Sequence, residues 1–258
     1  MEKSKKAIDK PAAPTWGFRG MTSSAASEKK LSGHAAEQEF AYAIGGEVIH
    51  GRGKADVRDG NGATYSVKGN SLKWQIFLYG HDRLTSTHTP WAKALAACTS
   101  VFPLKRAEYL SNKQRFKNEL QPQMRKLCAV LGNHETLSGF LDWSLFEGNC
   151  ENLVIHSHGE VVPVGFHIFP AAMVISTLTS KVTVVNSRAR AAHHYDDQKV
   201  VFAVTGSAAV GEIEMRNDSE AHYREVKFWL SKQGLTTLLT EHATRTESLP
   251  NGVYVYSA

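Results

Sequence analysis

Gly60-Asn-Gly62 constrains the fold more than any other feature of this sequence, because it separates two short strand-like runs, Lys54-Ala-Asp-Val-Arg58 and Ala63-Thr-Tyr-Ser-Val-Lys68. Glycine accepts the left-handed backbone that a tight connection demands, so this pattern predicts a β-hairpin. Loop length then fixes which side chains meet. A three-residue loop pairs Asp59 with Ala63 and, continuing outward, sets Asp56 opposite Ser66, with Lys68 two residues further along the same face. A two- or four-residue loop would put Asp56 and Ser66 on opposite faces. Gly62 stands where a three-residue loop needs its left-handed residue.

The flanking segments have their own periodicities. Ser32-Gly-His-Ala-Ala-Glu-Gln-Glu-Phe-Ala-Tyr-Ala-Ile44 spaces Ala36, Phe40, Ala43 and Ile44 as one helical face, which Gly45-Gly46 ends. Residues 1–30, rich in Lys, Ser, Ala and Pro, read as a flexible basic arm. Glu47-Val-Ile-His50 and Trp74-Gln-Ile-Phe-Leu-Tyr79 look extended, and residues 99–131 look helical. Beyond Gly148 strand-like runs dominate: Leu153-Val-Ile155, Lys181-Val-Thr-Val-Val185, Lys199-Val-Val-Phe-Ala-Val204, Gly211-Glu-Ile-Glu-Met215 and Glu225-Val-Lys-Phe-Trp229. No linker divides these halves. One α/β domain over residues 31–258 is expected, with a core at about 31–131 and a strand-rich remainder at 148–258.

Thirty Lys and Arg against twenty-five Asp and Glu give a formal charge of +5, which suits a polyanionic partner. No apolar run approaches the roughly 20 residues that span a bilayer, and Met-Glu-Lys-Ser-Lys-Lys has no apolar stretch behind it. The expectation is therefore a protein of the cytoplasm with no membrane segment. Cys98, Cys128 and Cys150 are odd in number and widely spaced, which indicates neither a disulfide framework nor a zinc ribbon.

At the hairpin the chain resembles the PD-(D/E)XK nuclease superfamily, the fold of most type II restriction endonucleases. Asp56 and Ser66-Val67-Lys68 stand where that superfamily carries its Asp and its acid-x-Lys. Glu37, in Gly33-His-Ala-Ala-Glu-Gln-Glu-Phe40, is in the place of its first-helix carboxylate, and Gln75-Ile-Phe-Leu-Tyr79 fits the Gln-x3-Tyr element of RecB-like members. The resemblance covers residues 33 to 80. It implies a restriction-endonuclease-like core, a central mixed β-sheet flanked by helices, elaborated here by the strand-rich C-terminal half. It implies hydrolysis of double-stranded DNA with Mg2+ held by Asp56, Glu37 and the Val67 carbonyl. Lys68 would act on the attacking water, with Gln75 and Tyr79 positioning it or the phosphate. A homodimeric, site-specific restriction enzyme is the leading expectation. A Holliday-junction resolvase or repair nuclease of the same fold, and an inactive DNA-binding protein that keeps the fold, are the alternatives.

The sequence departs from that pattern at Ser66, which replaces an acid, and a hydroxyl binds magnesium less well than a carboxylate. Some restriction enzymes with Ser-x-Lys here recruit a Glu from a following helix, but no Glu lies between Lys68 and Ala107. Glu37 is the expected substitute and Glu39 the second choice. A true acid-x-Lys occurs at Glu225-Val-Lys227, but its upstream acid, Asp218, falls in a turn-like stretch. His156-Ser-His158, Asn133-His-Glu135 and His193-His194 lack a complete metal-ligand spacing and read as structural. Lys105, Arg106, Lys113, Arg115, Arg216 and Arg224 are the candidate DNA contacts.

Overall fold

From Asp59–Ala63 to Val57–Tyr65 the hairpin forms with the register that a three-residue loop dictates, but Asp56 does not continue it opposite Ser66. In the computed structural model, which describes residues 23–51, 53–69, 71–189, 195–217 and 219–258, the Asp59 N–H donates to the Ala63 carbonyl at 3.0 Å. Asp59 also clamps the loop through its side chain. Oδ1 accepts from the Asn61 and Ala63 N–H groups at 2.9 Å each, and Oδ2 accepts from the Tyr65 hydroxyl at 3.0 Å. Gly62, at φ 92°, takes the left-handed position.

In chain order, helix α1 (Ser23–Ile44) leads into a meander of strands β1 (Glu47–Val48), β2 (Val57–Arg58) and β3 (Thr64–Lys68). Strand β4 (Lys73–Tyr79) precedes five helices: α2 (His81–Thr85), α3 (Pro90–Ser100), α4 (Arg106–Ser111), α5 (Lys113–Leu131) and α6 (His134–Phe146). Then come β5 (Asn152–Ser157), β6 (Gly165–Pro170), α7 (Ala171–Lys181), β7 (Val182–Asn186), β8 (Lys199–Val204), β9 (Gly211–Arg216) and β10 (Glu225–Ser231). The chain ends with α8 (Lys232–Glu241), β11 (Thr244–Leu249) and β12 (Val253–Ser257). Helix α1 starts at Ser23, so part of the segment expected to be a flexible arm is helical; residues 1–22 of that arm lie outside the described residues, as do His193 and His194.

The strands form two sheets among the described residues. The first runs β1-β2-β3-β5-β6-β12-β11 and is mixed, with parallel pairs at β3–β5 and β6–β12. The second, β4-β10-β9-β8-β7, is antiparallel throughout. The first sheet thus interleaves strands from both halves of the sequence, and β4, close to the hairpin in sequence, belongs to the second.

Alternation along β3 assigns the faces. Tyr65 and Val67, with Val57 and Val154, pack against Ala36, Phe40 and Ala41 of α1. Ser66 and Lys68 point the other way, beside Leu153 and Ile155, whose side chains enter the main core. That core runs continuously from Leu153, Ile155 and Phe169, through buried residues of α3, α5 and α6, to Phe77, Ile213 and Phe228 of the second sheet. All three cysteines are free thiols. Among the described residues no helix is long and apolar enough to cross a membrane.

Candidate active site

Beyond the Val57–Tyr65 pair the ladder is interrupted. The Asp56 N–H also donates to the Tyr65 carbonyl, at 2.8 Å, so two residues of one strand face one of the other. Such a bulge re-aims the side chain it carries. Asp56 Oδ2 accepts the Val67 N–H at 2.8 Å and lies 3.4 Å from Ser66 Oγ. Lys68 Nζ donates to Ser66 Oγ at 2.7 Å and to the Val67 carbonyl at 3.4 Å, and stands 3.7 Å from Asp56 Oδ2. Asp56, Ser66, Val67 and Lys68 are therefore one bonded group. Ser66 is fully buried beneath it, whereas Asp56 and Lys68 reach solvent with about a fifth to a quarter of their side-chain surface.

Three residues that the sequence did not flag, Lys54, Glu147 and Arg83, add charge near this group. Lys54 Nζ donates to the Ile76 carbonyl at 2.8 Å, tying the hairpin to β4 of the second sheet. Burial and then the Lys68 charge lower its pKa to about 8, with Glu147 and Asp56 opposing and Arg83 adding to the fall. Glu147 caps α6 in a left-handed conformation, φ 50°, with its carboxylate 3.7 Å from the Arg83 guanidinium. Arg83 in turn lies over the Tyr79 ring at 5.4 Å. Burial, then the Glu147 charge, raises the Tyr79 pKa, with Arg83 opposing. Strand parity could have found Lys54, since residues 54 and 56 point the same way in extended chain. Glu147 lies 79 residues beyond Lys68 and carried no comparable signal.

The other expected residues are placed as follows. Glu37 extends from α1, which covers the opposite face of the sheet, and its carboxylate pairs with His34 Nδ1 at 3.0 Å. Among the described residues, no hydrogen bond or ion pair joins it to Asp56 or Lys68. Gln75 is exposed on β4, and Tyr79 stacks on Phe77 at 4.8 Å. The Glu225-x-Lys227 rival is tied up in ion pairs: Lys227 with Glu214 at 3.1 Å, Glu225 with His222 at 2.8 Å, and Lys199 bridging Glu212 and Glu214. Its upstream Asp218 lies outside the described residues. Asn133 accepts the Thr136 N–H and caps α6, and the His156 and His158 rings stack at 4.5 Å.

Among the candidate DNA contacts, Lys105, Lys113 and Arg115 are exposed. Arg115 pairs with Glu119 at 2.7 Å. Arg106 donates to the Asn217 carbonyl and lies 3.8 Å from Glu220, while Arg216 and Arg224 are half-buried, Arg224 at φ 62°.

Among the described residues no three His, Cys, Asp or Glu side chains are grouped to hold a metal. The oxygens on hand are the Asp56 carboxylate, half engaged by Val67, and the Val67 carbonyl. Magnesium retains several waters and is commonly held by one or two carboxylates plus substrate phosphates, so this donor set fits that mode and not a closed protein cage.

No family model matches the chain, and no curated protein matches it. Among solved structures the chain is similar to restriction endonuclease MspI in complex with its cognate DNA, at 13% identity over 81% of this chain and 80% of that one, with a TM-score of 0.36. A TM-score that low carries no argument about function. The functional reading rests on the geometry around Asp56.

Proposed function

We propose that this protein is a Mg2+-dependent endodeoxyribonuclease that cuts double-stranded DNA at a defined sequence, as a homodimer, in the manner of a type II restriction endonuclease. The observation that carries the reading is the Lys68 ammonium held 2.7 Å from Ser66 Oγ and 3.7 Å from Asp56 Oδ2 on one face of a β-hairpin. It joins Asp56, Ser66, Val67 and Lys68 of the residues that the resemblance singles out, and leaves Glu37 outside. A two-fold pair of chains would present one such site to each strand of a duplex.

A bound Mg2+ would supply Lewis-acid polarisation of the phosphate and a more acidic water. Asp56 and the Val67 carbonyl are the groups that would hold it. Ser66 positions Lys68, because its buried hydroxyl takes one of the three ammonium hydrogens and fixes the direction of the others. The Lys68 hydrogen engaged by neither Ser66 nor the Val67 carbonyl can then face the negative charge that builds on the phosphate during attack. Lys54 adds a second cation behind them.

Digestion of plasmid DNA with Mg2+, followed by mapping of the ends, tests this. Discrete fragments are expected; a random ladder would favour a repair nuclease of the same fold. Lys68→Ala should lower the cleavage rate by about 10²–10³, and Asp56→Ala should leave none detectable. Full activity in either variant refutes the assignment. The second reading, a DNA-binding protein without catalysis, is favoured by the single carboxylate in the bonded group. It predicts duplex binding with no nicking at any Mg2+ concentration.

A further inference from the structure

The charges around Lys54 do not balance. Its half-buried ammonium bonds the Ile76 carbonyl of β4, the strand whose Tyr79 carries Arg83 over its ring. Lys68, Glu147, Asp56 and Arg83 all act on it, three cations and two carboxylates when Lys54 itself is counted. Lys54 is engaged by the Ile76 carbonyl, and Lys68 by Ser66 and Val67. Arg83 differs, since 57% of its side chain is exposed. Its contact with Glu147, at 3.7 Å, is longer than a hydrogen bond, so the pair leaves guanidinium N–H groups for another acceptor.

Two features hold Arg83 in place. The Tyr79 ring lies beneath the guanidinium, and Tyr79 is itself fixed by stacking on Phe77 and edge contact with Trp143. Glu147 in turn presents its carboxylate 3.7 Å from the guanidinium, from the left-handed position that ends α6. A guanidinium backed by an aromatic face and steered by a carboxylate has its planar fork oriented in advance, which is the geometry for bidentate capture of a phosphate.

We propose that Arg83 is the phosphate anchor of this site, binding a backbone phosphate of the duplex seated at Asp56 and Lys68, with Glu147 and Tyr79 as the residues that position it. The proposal rests on the nuclease reading and adds a substrate contact to it. The anchor carries no base information, so its contribution is the same for every sequence.

Binding of a labelled random-sequence DNA duplex to the full-length protein, followed by anisotropy from 50 to 300 mM NaCl with EDTA to prevent cleavage, tests it. Arg83→Ala and Arg83→Gln should weaken binding uniformly across sequences and reduce the slope of log K against log salt by about 1. Arg83→Lys should restore most of the slope and less of the affinity, because an ammonium keeps the charge but loses the fork. Affinity and slope unchanged in both Arg83→Ala and Arg83→Gln would make the Glu147 contact an ordinary surface ion pair and overturn the anchor alone. If the unaltered protein binds no duplex, the nuclease reading falls and the anchor falls with it.

Discussion

His167 is fully buried on β6, with Nε2 2.9 Å from the Pro163 carbonyl and Nδ1 2.9 Å from the Tyr256 hydroxyl. A carbonyl can only accept, so Nε2 carries the hydrogen and Nδ1 accepts from tyrosine; a second ring proton would break that arrangement. Burial lowers the His167 pKa below its ordinary 6.5, and His156 is shifted in the same direction, also chiefly by burial. As pH falls through 6.5 the unfolded chain takes up these protons before the folded one does. The contribution to stability is therefore complete above pH 7 and declines below 6.5. The denaturant midpoint should drop as pH falls through 6.5, and the His167 ring resonances should titrate below 6.5. A ring that titrates at 6.5 or above would contradict this. Residue-scale geometry was legible where spacing determines it, as for the grouping of Asp56, Ser66 and Lys68. It was illegible where a partner arrives from far along the chain, as Glu147 and Arg83 do for Lys54.

Among the elements, those with a clean period were readable, and those whose environment erases the period were not. Helix α5 shows the first case, burying Phe116, Leu120, Met124, Leu127 and Leu131 at helical spacing. Strand β6, Gly-Phe-His-Ile-Phe-Pro, is buried on both faces between β5 and β12, so it has no polar alternation to reveal it. Strand β11 fails for the opposite reason: all six residues of this edge strand are exposed. The pairing of β6 with β12 depends on Gly165, which sits at φ 138° with the Gly252 carbonyl 2.1 Å from where a Cβ would be. Left-handed strain and a backbone clash together make Gly165→Ala cost about 2–5 kcal/mol. Gly60→Ala meets nothing within 4 Å and should change stability by no more than about 0.5 kcal/mol. A thermal melt of both variants checks the contrast, and equal melting temperatures would show that β6 and β12 do not approach as closely as Gly165 requires.

At the scale of the whole molecule, each residue of the Asp56 group precedes position 70, yet the sheet that carries it is completed by β5, β6, β12 and β11 from the last 107 residues of the 258. Strand β3 pairs in parallel with β5, so without the C-terminal half it would present a bare edge beside the site. The second sheet is joined to the first by the continuous buried core and by the Lys54–Ile76 hydrogen bond. Chains longer than about 150 residues often unfold through intermediates, but here the inner face of the first sheet shares one continuous core with the helices and the second sheet. One cooperative transition is therefore expected. Far-UV circular dichroism reports both sheets, whereas Trp74, Trp91, Trp143 and Trp229 all lie in the second sheet or in the helices between them. The two probes should give the same midpoint in urea, and loss of the proposed Mg2+-dependent cleavage should follow the same curve. If fluorescence and part of the dichroism change at a urea concentration where the rest of the dichroism persists, the sheets are separate folding units and the interleaved strands do not make the Asp56 hairpin depend on the rest of the chain.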